Sequence, residues 1–254
     1  MTEARKAALV TGSATGIGRA TAVELARHGY DVAVNYSHSA DEARETVRQC
    51  ETAGARTLLI RADVSDDADA RHMLAEVEAA FGRLDVLVNV AGTTVTTPQE
   101  DLDGISVEDW DRIFAVNVKG TFLVTRAAAA LLRRTGGASV VNLASIVGPR
   151  PSTQPVPYAA SKAAIVNMTR TLSRVLAPEV RVNAVAPGWI AGSWMERTLG
   201  EHYDRLMERR ARQTPLQRVA TFEDVAETIL NLIEHNHFVT GQTVVVDGGY
   251  SATT

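Results

Sequence analysis

Seven short apolar runs, separated by longer amphipathic stretches, constrain this chain more than any other feature. They are AALVT (7–11), YDVAVNY (30–36), RTLLIRA (56–62), LDVLVNV (84–90), ASVVNL (138–143), VRVNAVA (180–186) and QTVVVD (242–247). Each holds several β-branched residues, and most have too few polar positions to present a wet face. Strands covered on both sides read this way, so the runs predict a parallel sheet. The stretches between them read as helices. Ser39 with Glu42 and Ser106 with Asp109 form capping patterns, Asp66 and Thr221 are placed as N-caps, and Gly29, Gly54 and Gly82 follow helices as C′ glycines. A long helix begins near Glu108 and stops at Gly136-Gly137. Alternating strands and helices predict an α/β fold, a doubly wound sheet flanked by helices. No repeat, low-complexity tract or linker divides the 254 residues, so 1–254 reads as one unit.

Charge and cysteine content narrow the function. The net charge is −4 and the basic residues are scattered, which argues against a nucleic-acid partner. The single cysteine, Cys50, allows no disulfide framework and no cysteine metal site; it reads as a small half-buried helix residue. The opening MTEARKAALVTG has no apolar signal region, and no run approaches the roughly 18 apolar residues of a membrane span. The expectation is a cytoplasmic protein with no membrane or metal partner.

The first run leads into TGSATGIG (11–18) and then a helical pattern. Glycines between a strand and a helix let the backbone turn tightly and approach a pyrophosphate, and the helix N-terminus offers free N–H groups. Gly12, Thr15, Gly16, Ile17 and Gly18 are therefore candidate cofactor contacts, although the spacing is G-x-x-x-G-x-G. The second strand should end in the residue that reads the adenosine ribose. That residue is taken as Asn35, followed by Tyr36, Ser37 and His38, and no acid is present. Asp63, beside Val64, can reach an adenine edge or serve as a turn residue. In Asn89-Val90-Ala91-Gly92, small residues would let a cofactor lie against the backbone.

PYAASKAA (157–164) sets Tyr158 and Lys162 four residues apart on one helix face, with small residues between. A free phenol has a pKa of about 10. A neighbouring ammonium lowers it, which suits a group that exchanges a proton with a carbonyl or alcohol. Ser145 lies just past the fifth strand, where ligands of such sheets collect, and can bond a carbonyl. Asn117, a mediocre helix former inside the long helix, can bind a water that links Lys162 to solvent or simply make a satisfied polar contact.

TGSATGIG, NVAG, Asn117, Ser145, the Tyr158–Lys162 pair, PGWI (187–190) and the ending VTGQTVVVDGG together resemble the short-chain dehydrogenase/reductase family over essentially the whole chain. The resemblance implies a Rossmann-type sheet of seven parallel strands, a nicotinamide cofactor and a homotetramer. It implies Tyr158 as acid/base, Ser145 as carbonyl binder, Lys162 on the nicotinamide ribose and Asn117 in a proton relay. Pro187, Gly188 and Ile190 join the cofactor contacts. AVNYSHS and PLQR resemble the 3-oxoacyl-(acyl-carrier-protein) reductase group, which uses NADPH. Four positions depart from the pattern or bear on it. Val90 replaces an asparagine, Thr15 stands where many of these reductases have arginine, and Gly192 stands where a threonine contacts the nicotinamide amide, with Ser193 as its stand-in. Arg133, Arg134 and Arg174 are candidates for holding an acidic carrier, or serve the dipole at helix ends.

Residues 188–215 break the alternation, and the family resemblance implies that they form a substrate lid. Trp189, Trp194, Met195, Leu199, Tyr203 and Leu206 suggest an apolar substrate portion. The expected function is hydride transfer between NADP(H) and a carbonyl or secondary alcohol, with the substrate free or carrier-bound. The rivals are an NAD-dependent sugar or polyol dehydrogenase and a cofactor-binding regulator without chemistry. The Ala-rich surface after Tyr158, the run Ala127–Leu132 and the apolar last strand point to a homo-oligomer.

Overall fold

The computed structural model describes residues 5–98, 100–151, 154–192, 195–196 and 200–253. All seven apolar runs form strands: β1 (Ala7–Thr11), β2 (Asp31–Tyr36), β3 (Thr57–Arg61), β4 (Val86–Asn89), β5 (Ala138–Leu143), β6 (Val180–Pro187) and β7 (Thr243–Val246). They pair in parallel in the order β3-β2-β1-β4-β5-β6-β7. The order reverses between β1 and β4, and in open sheets ligands bind outside the strand ends at that switch.

Helices cover both faces. The elements α1 (Gly16–Arg27), α2 (Ala40–Thr52) and, later in the chain, α8 (Phe222–Glu234) bury Val10, Val32, Val34, Leu25 and Ile229 on one side. On the other, α3 (Asp67–Phe81) and α5 (Thr121–Thr135) pack Met73, Val77, Val124 and Leu132 against Leu9, Leu87 and Val140. Leu9 and Val10 are adjacent yet face opposite layers, which is why β1 needs apolar residues at every position. The helix α6 (Val156–Leu176) lies on β6 and carries Tyr158 and Lys162, while α7 (Tyr203–Gln213) and the short α9 (Tyr250–Thr253) complete the set. Cys50 lies in α2 as expected but is fully rather than half-buried, and burial pushes its thiol up to about 12.

The long helix runs as α4 (Val107–Phe114), a π-helical turn over Ala115–Gly120, and then α5. By composition Val107–Thr135 is long and apolar enough to span a membrane, but half of that stretch is buried inside this fold. A Cβ on Gly120 would lie 2.8 Å from Val64, so the wide turn lets the helix seat closely on the loop after β3. Of the run Ala127–Leu132, Ala128, Leu131 and Leu132 belong to the domain's own core and are not available to an interface.

Local capping follows the sequence at three of four sites. Asp66 and Ser106 accept from the N–H groups of Asp69 and Asp109, and Thr221 forms a full capping box with Asp224. Ser39 occupies the N-cap of α2 but its side chain makes no cap bond, because its backbone turns away from the extended conformation such a bond needs. Gly29, Gly54 and Gly82 take left-handed φ after α1, α2 and α3. Thr221→Ala should therefore lower unfolding free energy by about 0.5–2 kcal/mol. Ser39→Ala should cost far less. Urea melts of both variants check the contrast, and equal losses would contradict it.

Candidate active site

The ends of β1, β4, β5 and β6 open into a cleft of about 610 Å³. Thr15, Gly16, Ile17 and Gly18 line it from the first turn of α1, Gly92 from the loop after β4, and Ser145 from the loop after β5. Tyr158 and Lys162 enter from α6, and Pro187, Gly188 and Ile190 from the end of β6. Of the residues singled out from sequence, Gly12, Asn35, Tyr36, Ser37, Asp63, Val64, Asn89, Ala91 and Asn117 are not in its wall.

The glycine turn is built for close approach. A Cβ on Gly12 would sit 2.8 Å from the Ala91 Cα, and one on Gly18 would sit 2.4 Å from the Gly12 carbonyl oxygen. Thr15 is the N-cap of α1, its side chain makes no cap bond, and the first turn holds no acid. The chain therefore leaves the first N–H groups of α1 to an outside acceptor, which fits a pyrophosphate.

Asn35 does not face a ribose. It is 1% exposed, its Oδ1 accepts the Gly12 N–H at 3.1 Å, and its Nδ2 donates to the Ala62 carbonyl at 3.1 Å. It positions the glycine turn. The exposed end of β2 is one residue further on, at half-buried Tyr36 and exposed Ser37. There His38 Nδ1 lies 2.9 Å from Ser37 Oγ, and Arg61 Nε donates to the Ser37 carbonyl at 3.3 Å. Asp63 is a turn residue, its Oδ1 accepting from the Ser65 N–H and hydroxyl at 2.9 and 2.8 Å. Asn89 is buried between strands and helix, donating to Thr125 Oγ1 and Asn142 Oδ1.

The four residues Asn117, Ser145, Tyr158 and Lys162 converge. The Tyr158 hydroxyl is hydrogen-bonded to Ser145, so the two hydroxyls form one polar pair in the cleft wall. Lys162 is 4% exposed, its Nζ donates to the Leu143 carbonyl at 2.7 Å and lies 5.6 Å from the Tyr158 ring centroid. Burial pushes the Tyr158 phenol up to about 12, against a smaller downward pull from Ser145, and pushes Lys162 down to about 8. The sequence-based expectation of a lowered phenol fails in this protein on its own. Desolvation by burial sets the direction, and the Lys162 ammonium gives its hydrogen bond to a backbone carbonyl.

Asn117 lies inside the π-turn, which swings its amide toward the loop after β4. Its Oδ1 accepts the Thr93 N–H at 2.7 Å, and its Nδ2 donates to the Thr93 carbonyl and Ser161 Oγ, both at 3.0 Å. Its side-chain amide is thus satisfied by protein partners. A Cβ on Gly92 would lie 3.3 Å from Asn117 Oδ1 and 3.8 Å from Lys162 Nζ, so this glycine keeps open the gap between them.

Residues 188–215 contribute Trp189, Met195 and, from α7, Arg210 to the cleft wall, the last a residue that sequence reasoning missed. Gly192 has its N–H on Tyr203 Oη at 3.1 Å, and a Cβ there would fall 2.3 Å from the Phe222 ring, so this fold has no room for a threonine at that point. Ser193, Trp194 and Leu199 lie outside the described residues. Arg133 donates to the Val175 carbonyl and Arg134 pairs with Glu78, so both serve helix ends and neighbours within the chain. Among the described residues no cluster of His, Cys, Asp or Glu could hold a metal ion.

A parallel sheet with a phosphate-type turn at its switch point and a Ser–Tyr–Lys cluster in the adjoining cleft defines an NAD(P)-dependent oxidoreductase, and this chain belongs to the short-chain dehydrogenase/reductase family. The family profile described as enoyl-(acyl carrier protein) reductase matches residues 12–251. The chain is 43% identical over 242 residues to "Granaticin polyketide synthase putative ketoacyl reductase 2" of Streptomyces violaceoruber, covering 95% of this chain and 94% of that protein. It is 37% identical over 247 residues to the 3-oxoacyl-(acyl-carrier-protein) reductase FabG of Staphylococcus epidermidis, covering 96% and 98%. The solved structure of acetoin dehydrogenase from Enterobacter cloacae superposes with a TM-score of 0.86 at 33% identity, covering 100% and 98% of the two chains.

Proposed function

We propose that this enzyme is an NADPH-dependent ketoreductase that reduces a 3-oxoacyl-type carbonyl to the secondary alcohol, the substrate being presented on a carrier or as a simple thioester. The observation that carries the reading is the hydrogen-bonded Ser145–Tyr158 pair in the cleft wall, with Lys162 buried beside it. The α1 N-terminus, Gly12 and Gly18 suit the pyrophosphate, and Gly92, Pro187, Gly188 and Ile190 suit the nicotinamide end. NADPH bound there supplies the hydride. Ser145 and Tyr158 direct two hydroxyls at the carbonyl oxygen, and Tyr158 gives it a proton as charge develops there. The phenol, held neutral up to about 12, is in the donating form at neutral pH. Lys162 places a positive charge behind the ring as it becomes a phenolate, and Asn117 holds Thr93 and Ser161 around it.

The choice of NADPH rests on the end of β2. Tyr36, Ser37 and His38 bring no carboxylate, and the Arg61 guanidinium beside Ser37 has no acidic partner among the described residues. A charge-assisted hydrogen bond contributes about 1.5–3 kcal/mol, enough for one or two to select the 2′-phosphate. The homotetramer is supported by exposed Trp110 on α4, Phe122 on α5 and Val245 on the edge strand β7. An uncovered strand edge of this kind is a natural pairing surface.

Four outcomes are expected. Tyr158→Phe should keep fold and cofactor affinity while lowering turnover by at least ~10²-fold. In the wild type, alcohol oxidation should climb with pH through the neutral and mildly alkaline range, since it needs the phenolate, while reduction stays level. Wild-type rates in the variant would remove Tyr158 from the mechanism, and a wild type inert toward every carbonyl and alcohol would favour a regulator. Ser37→Asp should lower the NADPH/NADH ratio of kcat/KM by about tenfold or more, because an anion repels the 2′-phosphate and accepts from a free hydroxyl. An unchanged ratio places selectivity elsewhere. Light scattering at micromolar concentration should give four times the chain mass, and a monomer mass would refute the oligomer.

A further inference from the structure

Arg210 lines the cleft and has no task in the scheme above. Arg210, in the last turn of α7, stands against Trp189 with its Cζ 4.4 Å from the ring centroid, and 5.7 Å from that of Tyr250. Its Nη1 donates to Tyr250 Oη at 2.8 Å and to Gln213 Oε1 at 3.1 Å. Its Nε is buried and has no hydrogen-bond partner, and no carboxylate lies within ion-pair distance among the described residues. Buried donors are almost always satisfied, and a guanidinium clamped by aromatic rings keeps its in-plane donors aimed in fixed directions. Arg210 is thus a rigid, incompletely satisfied cation in the wall of a cleft that Trp189, Met195, Phe222 and Tyr250 also line, together with Arg150, which donates to the Ser251 carbonyl at 2.8 Å.

Its place in the sheet says what it can meet. The phosphate turn follows β1, the Ser145 loop follows β5, and the residues that hold Arg210 follow β6 and β7. Neighbouring strands are about 4.8 Å apart. Two strand steps therefore separate β1 from β5, and one to two more lead onward, away from the pyrophosphate and past the nicotinamide end at Pro187, Gly188 and Ile190, to Trp189 and Tyr250. An anion on Arg210 lies across the reacting centre from the pyrophosphate and belongs to the other reactant.

We infer that Arg210 binds an anionic oxygen group carried by the substrate beyond its reducible carbonyl, so that the preferred substrates are oxo compounds with a distal carboxylate or phosphate. This rests on the ketoreductase reading and extends it to a substrate class. It also adds to the expectation of an apolar substrate portion, since Trp189 serves as the platform of a cation.

The test uses matched pairs of ketones: a 3-oxo ester ending in methyl against the same chain ending in carboxylate, and a 3-oxoacyl pantetheine thioester without and with its 4′-phosphate. Wild type, Arg210→Met and Arg210→Lys are compared in kcat and KM, with folding checked by thermal melts. Binding of each ketone to the protein is measured separately by calorimetry. The wild type should favour the charged member of at least one pair by about tenfold to hundredfold in KM. Arg210→Met should abolish that preference, and Arg210→Lys should keep part of it. A preference confined to the carboxylate pair assigns the anion to the acyl chain, and one confined to the thioester pair assigns it to the carrier arm. Equal treatment of both pairs by the wild type, or a preference that survives in Arg210→Met, overturns the inference while leaving the ketoreductase intact. If no carbonyl is reduced at all, the ketoreductase reading fails, and the calorimetric comparison still decides for or against Arg210.

Discussion

The site depends on one hydrogen bond, from the buried Lys162 ammonium to the Leu143 carbonyl at the end of β5. An ammonium taken out of water must find acceptors or lose its proton, and burial already draws this one down to about 8. The bond pins α6 to the strand whose next loop carries Ser145, and so fixes the one face on which Tyr158 can stand. Everything between the two elements is small for that reason. Ala159, Ala160 and Ser161 leave room, and Ser161 is tied to both the Tyr158 carbonyl and Asn117. The result is a phenol and a serine hydroxyl paired before any ligand arrives. Preorganised donors of this kind need not be reordered as charge develops on a substrate oxygen.

A second layer of polar contacts aligns the sheet under this cluster. Asn89 bonds Asn142, and Asn142 bonds Thr169 on α6, so β4, β5 and α6 are stitched together one level below the cleft. Asn35 performs the same service between β2, β3 and the glycine turn. The π-turn at Ala115–Gly120 belongs with them. It interrupts an otherwise regular helix at the residue whose amide must reach Thr93, and Thr121 takes up the displaced Asn117 carbonyl at 2.8 Å. Asparagines at strand ends and in mid-helix thus act as struts, and the cofactor-facing surface is left mainly to backbone and glycine.

This division explains what the sequence could and could not disclose. The seven strands were legible because both faces of the sheet are covered, which forces apolar residues at nearly every position. The Tyr158–Lys162 pair was legible because helical spacing alone puts them on one face. Asn35 was misassigned for an equally physical reason. At a strand end, a shift of one residue exchanges the buried face for the exposed one, and only the observed register, with Asn35 opposite Ile60 and Tyr36 opposite Arg61, decides which residue looks outward. The direction of the Tyr158 titration was missed because a sequence shows a neighbour's charge but not how much water burial removes.

Arg210 was the least visible of all. In MERRARQ three arginines lie within four positions, and as composition they are a solvated, dipole-matched helix end. What separates them is their surroundings. Arg212 reaches toward Glu208, whereas Arg210 meets Trp189 from just beyond β6 and Tyr250 from beyond β7. Tyr250 itself is placed by the turn after β7, where Asp247 accepts the N–H groups of Gly249 and Ser251 at 2.9 and 2.7 Å. Segments far apart in the chain therefore set one guanidinium, and no local pattern encodes that. Catalytic groups here are specified by spacing within a single helix and can be read from it, while the group we assign to the substrate's far end is specified by tertiary assembly. Substrate choice in such a fold can accordingly change through the lid and the last strand without disturbing the chemistry held by β5 and α6.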